Sequence, residues 1–134
     1  MHVFRRFKSL LATPQLWRVA LWTYWIAMFL GTHSPGKIPN LSGGVFDKIV
    51  HLGAFAGLGL LFAVNWQLFG GHLTFRHYLA IVFVLAVYAA VDETSQIVVH
   101  RDCSLADWAS DVTGAAIGVT TFHVGREQWK RWAR

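Results

Sequence analysis

Charge is scarce in this chain of 134 residues: Asp, Glu, Lys and Arg make up 14% of it, against 54% hydrophobic residues and a mean hydropathy of +0.41. Soluble domains rarely show that balance, because they need charge to stay dispersed, so the chain reads as an integral membrane protein. Cysteine is nearly absent. Cys103 stands alone, which rules out an intramolecular disulfide and a structural metal site built on thiolates. The chain has no H-E-x-x-H pair, no Gly-rich phosphate loop, and no Ser or Cys in a recognisable nucleophile motif. It also lacks internal repeats and low-complexity tracts, so residues 1–134 read as one domain. Proline and glycine gather in one linker, Ser34-Pro35-Gly36-Lys37-Ile38-Pro39-Asn40 running on to Gly43-Gly44, which reads as the first outer loop.

What the chain does have is long apolar runs. Crossing roughly 30 Å of hydrocarbon takes about 20 residues of helix. Stretches near 15–31, 47–69, 77–99 and 104–123 meet that length, which predicts an all-α, polytopic four-helix membrane bundle. Arg5-Arg6-Phe7-Lys8 before the first run offers a signal-peptide start, but Gly31-Thr32-His33-Ser34 is a poor cleavage site, so the run reads as an uncleaved helix.

Basic residues set the expected orientation, because loops rich in Lys and Arg stay on the cytoplasmic side. With both termini inside, Arg5, Arg6, Lys8, Arg18, Arg76, Arg126, Lys130, Arg131 and Arg134 are cytoplasmic, and only Lys37, Lys48 and Arg101 lie outside. The acids Asp47, Asp92, Glu93, Asp102, Asp107 and Asp111 then lie on the outer side and Glu127 inside. A nucleic-acid partner is not expected from the net charge of +5, because the basic residues flank apolar spans and form no stripe on a soluble domain. Residues 125–134, with Trp129 and Trp132 among four basic side chains, read as a cytoplasmic basic tail forming a short surface helix. Trp17 and Trp66 are expected as inner interface anchors with them, and Trp108 as an outer one. Gly53 with Gly57, and Gly114 with Gly118, form small-xxx-small pairs that would let helices approach closely.

The ionisable groups are concentrated near the helix ends. An ionised side chain in a span costs about 2.5–3.5 kcal/mol on insertion scales unless paired or wet, so several together need a reason. Asp47 and His51 are four apart on the second helix; Asp92 and Glu93 precede Gln96 by four and three on the third; Asp107 and Asp111 are four apart on the fourth. Each helix thus presents one polar face, at the same outer end, with Arg101 in the loop between the third and fourth. The faces can converge into a polar site at the extracytoplasmic end.

The ordered set Asp47-Lys48-x-x-His51-x-x-x-Phe55, Asp92-Glu93-x-x-Gln96, Arg101, Asp107 and Gly114 resembles the signature of the VanZ-like family of small bacterial membrane proteins. The matching stretch covers residues 45–118. The chain departs from the family pattern at Asp111, where Asn is frequent, and at His100, where a turn-forming Gly is usual. The resemblance implies a place in the bacterial cytoplasmic (inner) membrane, and the family's founding member is associated with teicoplanin resistance. Carried over position by position, it implies that Asp47, Lys48, His51, Glu93, Gln96, Arg101 and Asp107 form the site.

The residue chemistry leaves several readings open. His51 with Glu93 or Asp107 offers a general acid/base pair. One His with scattered acids is a poor zinc set, so no metal and no other cofactor is expected. Lys48 and Arg101 suit a phosphate or carboxylate, the acids and Gln96 suit hydroxyl or ammonium groups, and the apolar helices suit an acyl tail, which points to an envelope lipid or lipoglycopeptide. The remaining readings are a ring of mutual salt bridges, such as Lys48 with Glu93 or Arg101 with Asp107, and a non-catalytic accessory subunit of a larger membrane complex.

Overall fold

The computed structural model describes residues 13–33, 44–99 and 103–132. These form four long helices: α1 (Pro14–Thr32), α2 (Val45–Asn65), α3 (Phe75–Ser95) and α4 (Leu105–Trp132). Pro14 opens α1, where its fixed φ is pre-set for a helix and its missing N–H costs nothing. Thr74 and His77 cap α3 reciprocally, His77 taking the place usually held by Glu or Gln, with its Nδ1 accepting the Thr74 backbone N–H at 3.1 Å. Between α2 and α3 the chain makes a π-turn, Trp66–Gly70, and reverses at Gly71, whose φ of 87° favours a residue without Cβ. A 3₁₀ turn, Gln96–Val99, ends α3.

The helices run up, down, up, down. Asn65 at the end of α2 donates to the carbonyl of Trp17 at the start of α1 (2.9 Å), so these two are antiparallel. Trp108 of α4 donates its indole N–H to the Ala86 carbonyl of α3 (3.0 Å), and His123 further along α4 meets the Tyr78 hydroxyl (3.2 Å), so these two are antiparallel as well. Trp108 therefore sits in the α3–α4 seam, bonded to backbone, rather than acting simply as an interfacial anchor.

The closest approach is between α2 and α4, which run parallel. A Cβ on Gly114 would meet the Leu52 backbone, and one on Gly118 the backbone of Ala56 and Leu60. The α4 glycine pair thus serves the expected close contact. The α2 pair does not: Gly53 faces open space and Gly57 faces the Tyr24 side chain of α1. On α2 the close-packing residue is Gly59, whose Cβ would stand 2.6 Å from the Ala115 carbonyl. Phe55, Leu58, Leu85, Ala89 and Ala115 fill the centre, and Trp25 packs edge-on against Phe62 and Tyr88 at 5.2 and 5.0 Å.

Polarity is distributed inside out. Val45, Phe75, Val98 and Leu105 are more than 70% exposed, while Asp92, Glu93 and Asp111 are at most 3% exposed. A chain solvated by water would reverse this, whereas lipid solvates apolar faces and drives charge inward. Val45–Gly70 and Phe75–Val98 are long and apolar enough to cross a membrane. α1, with 19 residues, spans about 28 Å.

The basic C-terminal segment differs from its expected form. α4 continues without a break to Trp132, 28 residues in all, so the segment is not a separate surface helix. Lys and Arg are good helix formers and no proline intervenes, so exit from an apolar environment is no reason for the helix to end. Arg126 Nη1 ties the extension to the π-turn by donating to Gln67 Oε1 (2.8 Å), and within it Lys130 donates to Glu127 one turn back (2.8 Å). The Lys130 hydrogen bond, with the Lys130 and Arg126 charges, holds the Glu127 carboxyl below its ordinary value. The side chains of Trp129 and Trp132 lie outside the described set, as do Arg101 and the loop 34–43.

Candidate functional site

Helical spacing aligns Asp47, Lys48 and His51 on one face at the start of α2, and Asp107 with Asp111 on one face at the start of α4. Because α2 and α4 run parallel and touch through glycine, the two faces meet in register. Lys48 Nζ lies 3.3 Å from Asp107 Oδ1, and one turn deeper His51 Nδ1 lies 2.9 Å from Asp111 Oδ1. α3 brings its own face to the same end: Glu93 Oε1 stands 3.9 Å from His51 Nδ1. One donor atom each from His51, Glu93 and Asp111, all buried, fall within 4.8 Å of one another, and so do donors from Asp47, His51 and Asp107.

Glu93 is oriented by its second oxygen. Oε2 accepts the Ser104 backbone N–H at 2.9 Å, immediately before α4, where the free amides of the helix start favour an anion. Ser104 in turn caps α4, its Oγ accepting the Asp107 N–H at 3.3 Å. The turn joining α3 to α4 is thereby tied to the carboxylate that faces His51.

A second polar layer links α3 to α1. Asp92 Oδ2 accepts from Gln96 Nε2 (3.1 Å), and Oδ1 from the Tyr88 and Thr32 hydroxyls (3.3 Å each). His33 stacks on Phe29, reaches Ser95 Oγ with Nε2 (2.8 Å) and lies 3.9 Å from Asp92 Oδ1 with Nδ1. Asp92 is therefore surrounded by donors. Asp111 is not: its Oδ2, on a residue with no exposed surface, has no hydrogen-bond partner among the described residues.

Of the residues expected at the site, Asp47, Lys48, His51, Glu93 and Asp107 come together. Gln96 is 2% exposed and braces Asp92 from behind the cluster. Arg101 lies outside the described residues. The pairings differ from those anticipated. Lys48 takes Asp107 rather than Glu93, and the hydrogen-bond partner of His51 is Asp111, which was expected only on the polar face of the fourth helix. Asp92 was expected on the polar face of the third helix without a named role, and the α1 pair Thr32 and His33 were not expected at the site. The i, i+4 spacing of Asp107 and Asp111 was the available signal for Asp111; nothing local marks Thr32 or His33, which meet α3 across about sixty residues of sequence.

Chemically, this end of the bundle gathers the carboxyl groups of Asp47, Asp92, Glu93, Asp107 and Asp111 around Lys48, His51 and His33. Such a set can accept hydroxyl or ammonium donors, exchange a proton through imidazole, or hold a cation. At the opposite end, Leu73, Phe75, Tyr78, Val119, Thr120 and His123 line a mostly apolar groove of about 370 Å³.

No curated protein and no solved structure matches the chain. The family model described as VanZ/LLP1 matches residues 2–126, which takes in the glycine seam and every polar residue of the cluster. The chain therefore belongs to the VanZ/LLP1 family.

Proposed function

We propose that this protein crosses the bacterial cytoplasmic membrane four times with both termini inside, and that the polar end of its bundle opens outward to bind or act on an envelope lipid or lipid-linked glycopeptide. Family membership, the two apolar helices and the apolar exterior support a membrane location. The excess of Lys and Arg at the other end of the bundle supports the orientation.

The observation that carries the reading is the concentration of buried carboxylates and His51 from α2, α3 and α4 at one end of the bundle, edged by Lys48, whose side chain is 39% exposed. A bundle needing only to hold itself together has the glycine seam and the aromatic core for that. Polar groups buried in lipid-facing helices cost stability and mark functional sites by default. In this arrangement Lys48 and Arg101 receive the anionic part of a headgroup, and Asp47 and Asp107 receive its hydroxyl or ammonium groups. The acyl chain lies along the exposed apolar helix faces. Asp92, Gln96 and His33 brace the site.

A protection assay tests the reading. Host cells expressing the parent, Glu93→Gln or Arg101→Ala are challenged with a teicoplanin-type lipoglycopeptide, and both variants are expected to lose protection. Full protection by both, at equal expression, overturns it.

A further inference from the structure

We propose that His51, Glu93 and Asp111 form a binding site for one divalent transition-metal ion, of the zinc or manganese class, at the buried centre of the cluster. The three ligands come from three different helices, and their donor atoms already converge: His51 Nδ1 is 2.9 Å from Asp111 Oδ1 and 3.9 Å from Glu93 Oε1. Donors around one ion at about 2.1 Å stand roughly 3.0–3.4 Å apart, so small side-chain rotations complete the geometry.

The second observation is independent of the clustering. Asp111 Oδ2 is fully buried and has no hydrogen-bond partner among the described residues. A buried carboxylate oxygen without a donor is rare and calls for a water or an ion. Asp92 shows what this chain does with a carboxylate it holds through hydrogen bonds alone, giving it Gln96, Tyr88 and Thr32 as donors. Among the described residues Asp111 has only the His51 ring.

The surroundings fit a metal ligand set. The outer oxygen of Glu93 is fixed by the Ser104 N–H, leaving Oε1 aimed at His51, the kind of supporting contact that orients ligands at metal centres. Lys48, the nearest described side chain with a permanent positive charge, is engaged with Asp107, so that among the described residues no such charge is paired with the deeper acids. A dication supplies that charge. One imidazole nitrogen with two carboxylates suits zinc, manganese or iron better than calcium or magnesium, which prefer oxygen alone. Three protein ligands also leave a coordination position open. The shallower trio of Asp47, His51 and Asp107 shares His51 but has Asp107 committed to Lys48, so the buried trio is the stronger site. This inference stands whether or not the lipid reading holds.

The full-length protein, purified in detergent and stripped with chelator, is titrated with Zn²⁺ and Mn²⁺, and retained metal is counted by elemental mass spectrometry. One ion per chain is expected, with at least a tenfold loss of affinity in Asp111→Asn and in Glu93→Gln, on the scale that lost metal contacts produce. Thr113→Ala, at an exposed position of α4, should bind within about threefold of the parent. Metal at parent affinity in both trio variants overturns the site, as does no binding by the parent. Pulsed electron paramagnetic resonance of the Mn²⁺-loaded parent should show coupling to a coordinated imidazole nitrogen. Its absence overturns the proposal even if a variant fails to fold.

Discussion

His51 on α2 and Asp111 on α4 share a buried hydrogen bond of 2.9 Å, one helical turn below the Lys48–Asp107 ion pair. The two contacts repeat along a parallel helix pair, so glycine packing and polar chemistry belong to one seam. Gly114 and Gly118 bring the backbones close enough for short side chains to bridge the gap, and the acids above them use that proximity.

The deeper bond is expected to matter more for stability. Asp111→Ala leaves the buried His51 ring without its partner and should cost about 1–3 kcal/mol, the penalty of an unpaired buried polar group. Asp111→Asn preserves volume and can still hydrogen-bond the ring, so its cost should be smaller, under about 1 kcal/mol. Unfolding of the purified protein from mild detergent into SDS measures both; equal losses would contradict this ranking.

The outer pair should contribute little. Lys48 is 39% exposed along its side chain, and an ion pair of that exposure is worth less than about 1 kcal/mol. A double-mutant cycle with Lys48→Met and Asp107→Asn should give a small coupling energy that shrinks with added salt. A coupling above about 2 kcal/mol would mean that the pair is shielded from solvent.

The glycine seam yields a contrast between neighbours. A methyl group at Gly118 would run into the Ala56 carbonyl and the Leu60 amide, neither of which can move without shifting α2. Gly118→Ala is therefore expected to destabilise by about 1–3 kcal/mol, as overpacking does. Gly53→Ala meets open space and should be neutral or slightly stabilising, since alanine is the better helix former. SDS unfolding of the pair checks this, and the reverse order would mean that α2 and α4 do not pack as described.

The single cysteine reports orientation. Cys103 is exposed and sits just before α4, at the polar end. In intact cells of the native host a membrane-impermeant maleimide should label it, and Cys103→Ser should abolish the signal. Labelling only after membrane disruption would place the polar end in the cytoplasm and reverse the topology.

Much of the fold was legible in the sequence because apolar runs of this length have few other fates. The expected spans near 15–31, 47–69, 77–99 and 104–123 fall on Pro14–Thr32, Val45–Gly70, Phe75–Val99 and the first two thirds of Leu105–Trp132. The end of α4 was misplaced because Arg126, Lys130 and Arg131 signal departure from an apolar environment, which is not the same as departure from a helix. Spacing showed which acids share a face and that the faces meet at one end. It did not show their partners: choosing Asp111 over Glu93 for His51 depends on α2 and α4 running in contact and in register. Gly53 and Gly57 fit the small-xxx-small pattern, yet Gly59 makes the contact, because the pattern does not say which face of a helix meets a neighbour. The α1 contribution from Thr32 and His33 was hidden for a similar reason, since it depends on α1 and α3 ending at the same level.

The central proposal is that the polar end binds an envelope lipid or lipid-linked glycopeptide rather than serving to pack an accessory subunit. Native mass spectrometry after gentle detergent extraction from the native host, at natural expression, tests it most directly. The account predicts a small particle carrying bound lipid, with the lipid lost in Glu93→Gln. A large complex of fixed stoichiometry without retained lipid would contradict it and make the buried charges a packing device of an accessory subunit.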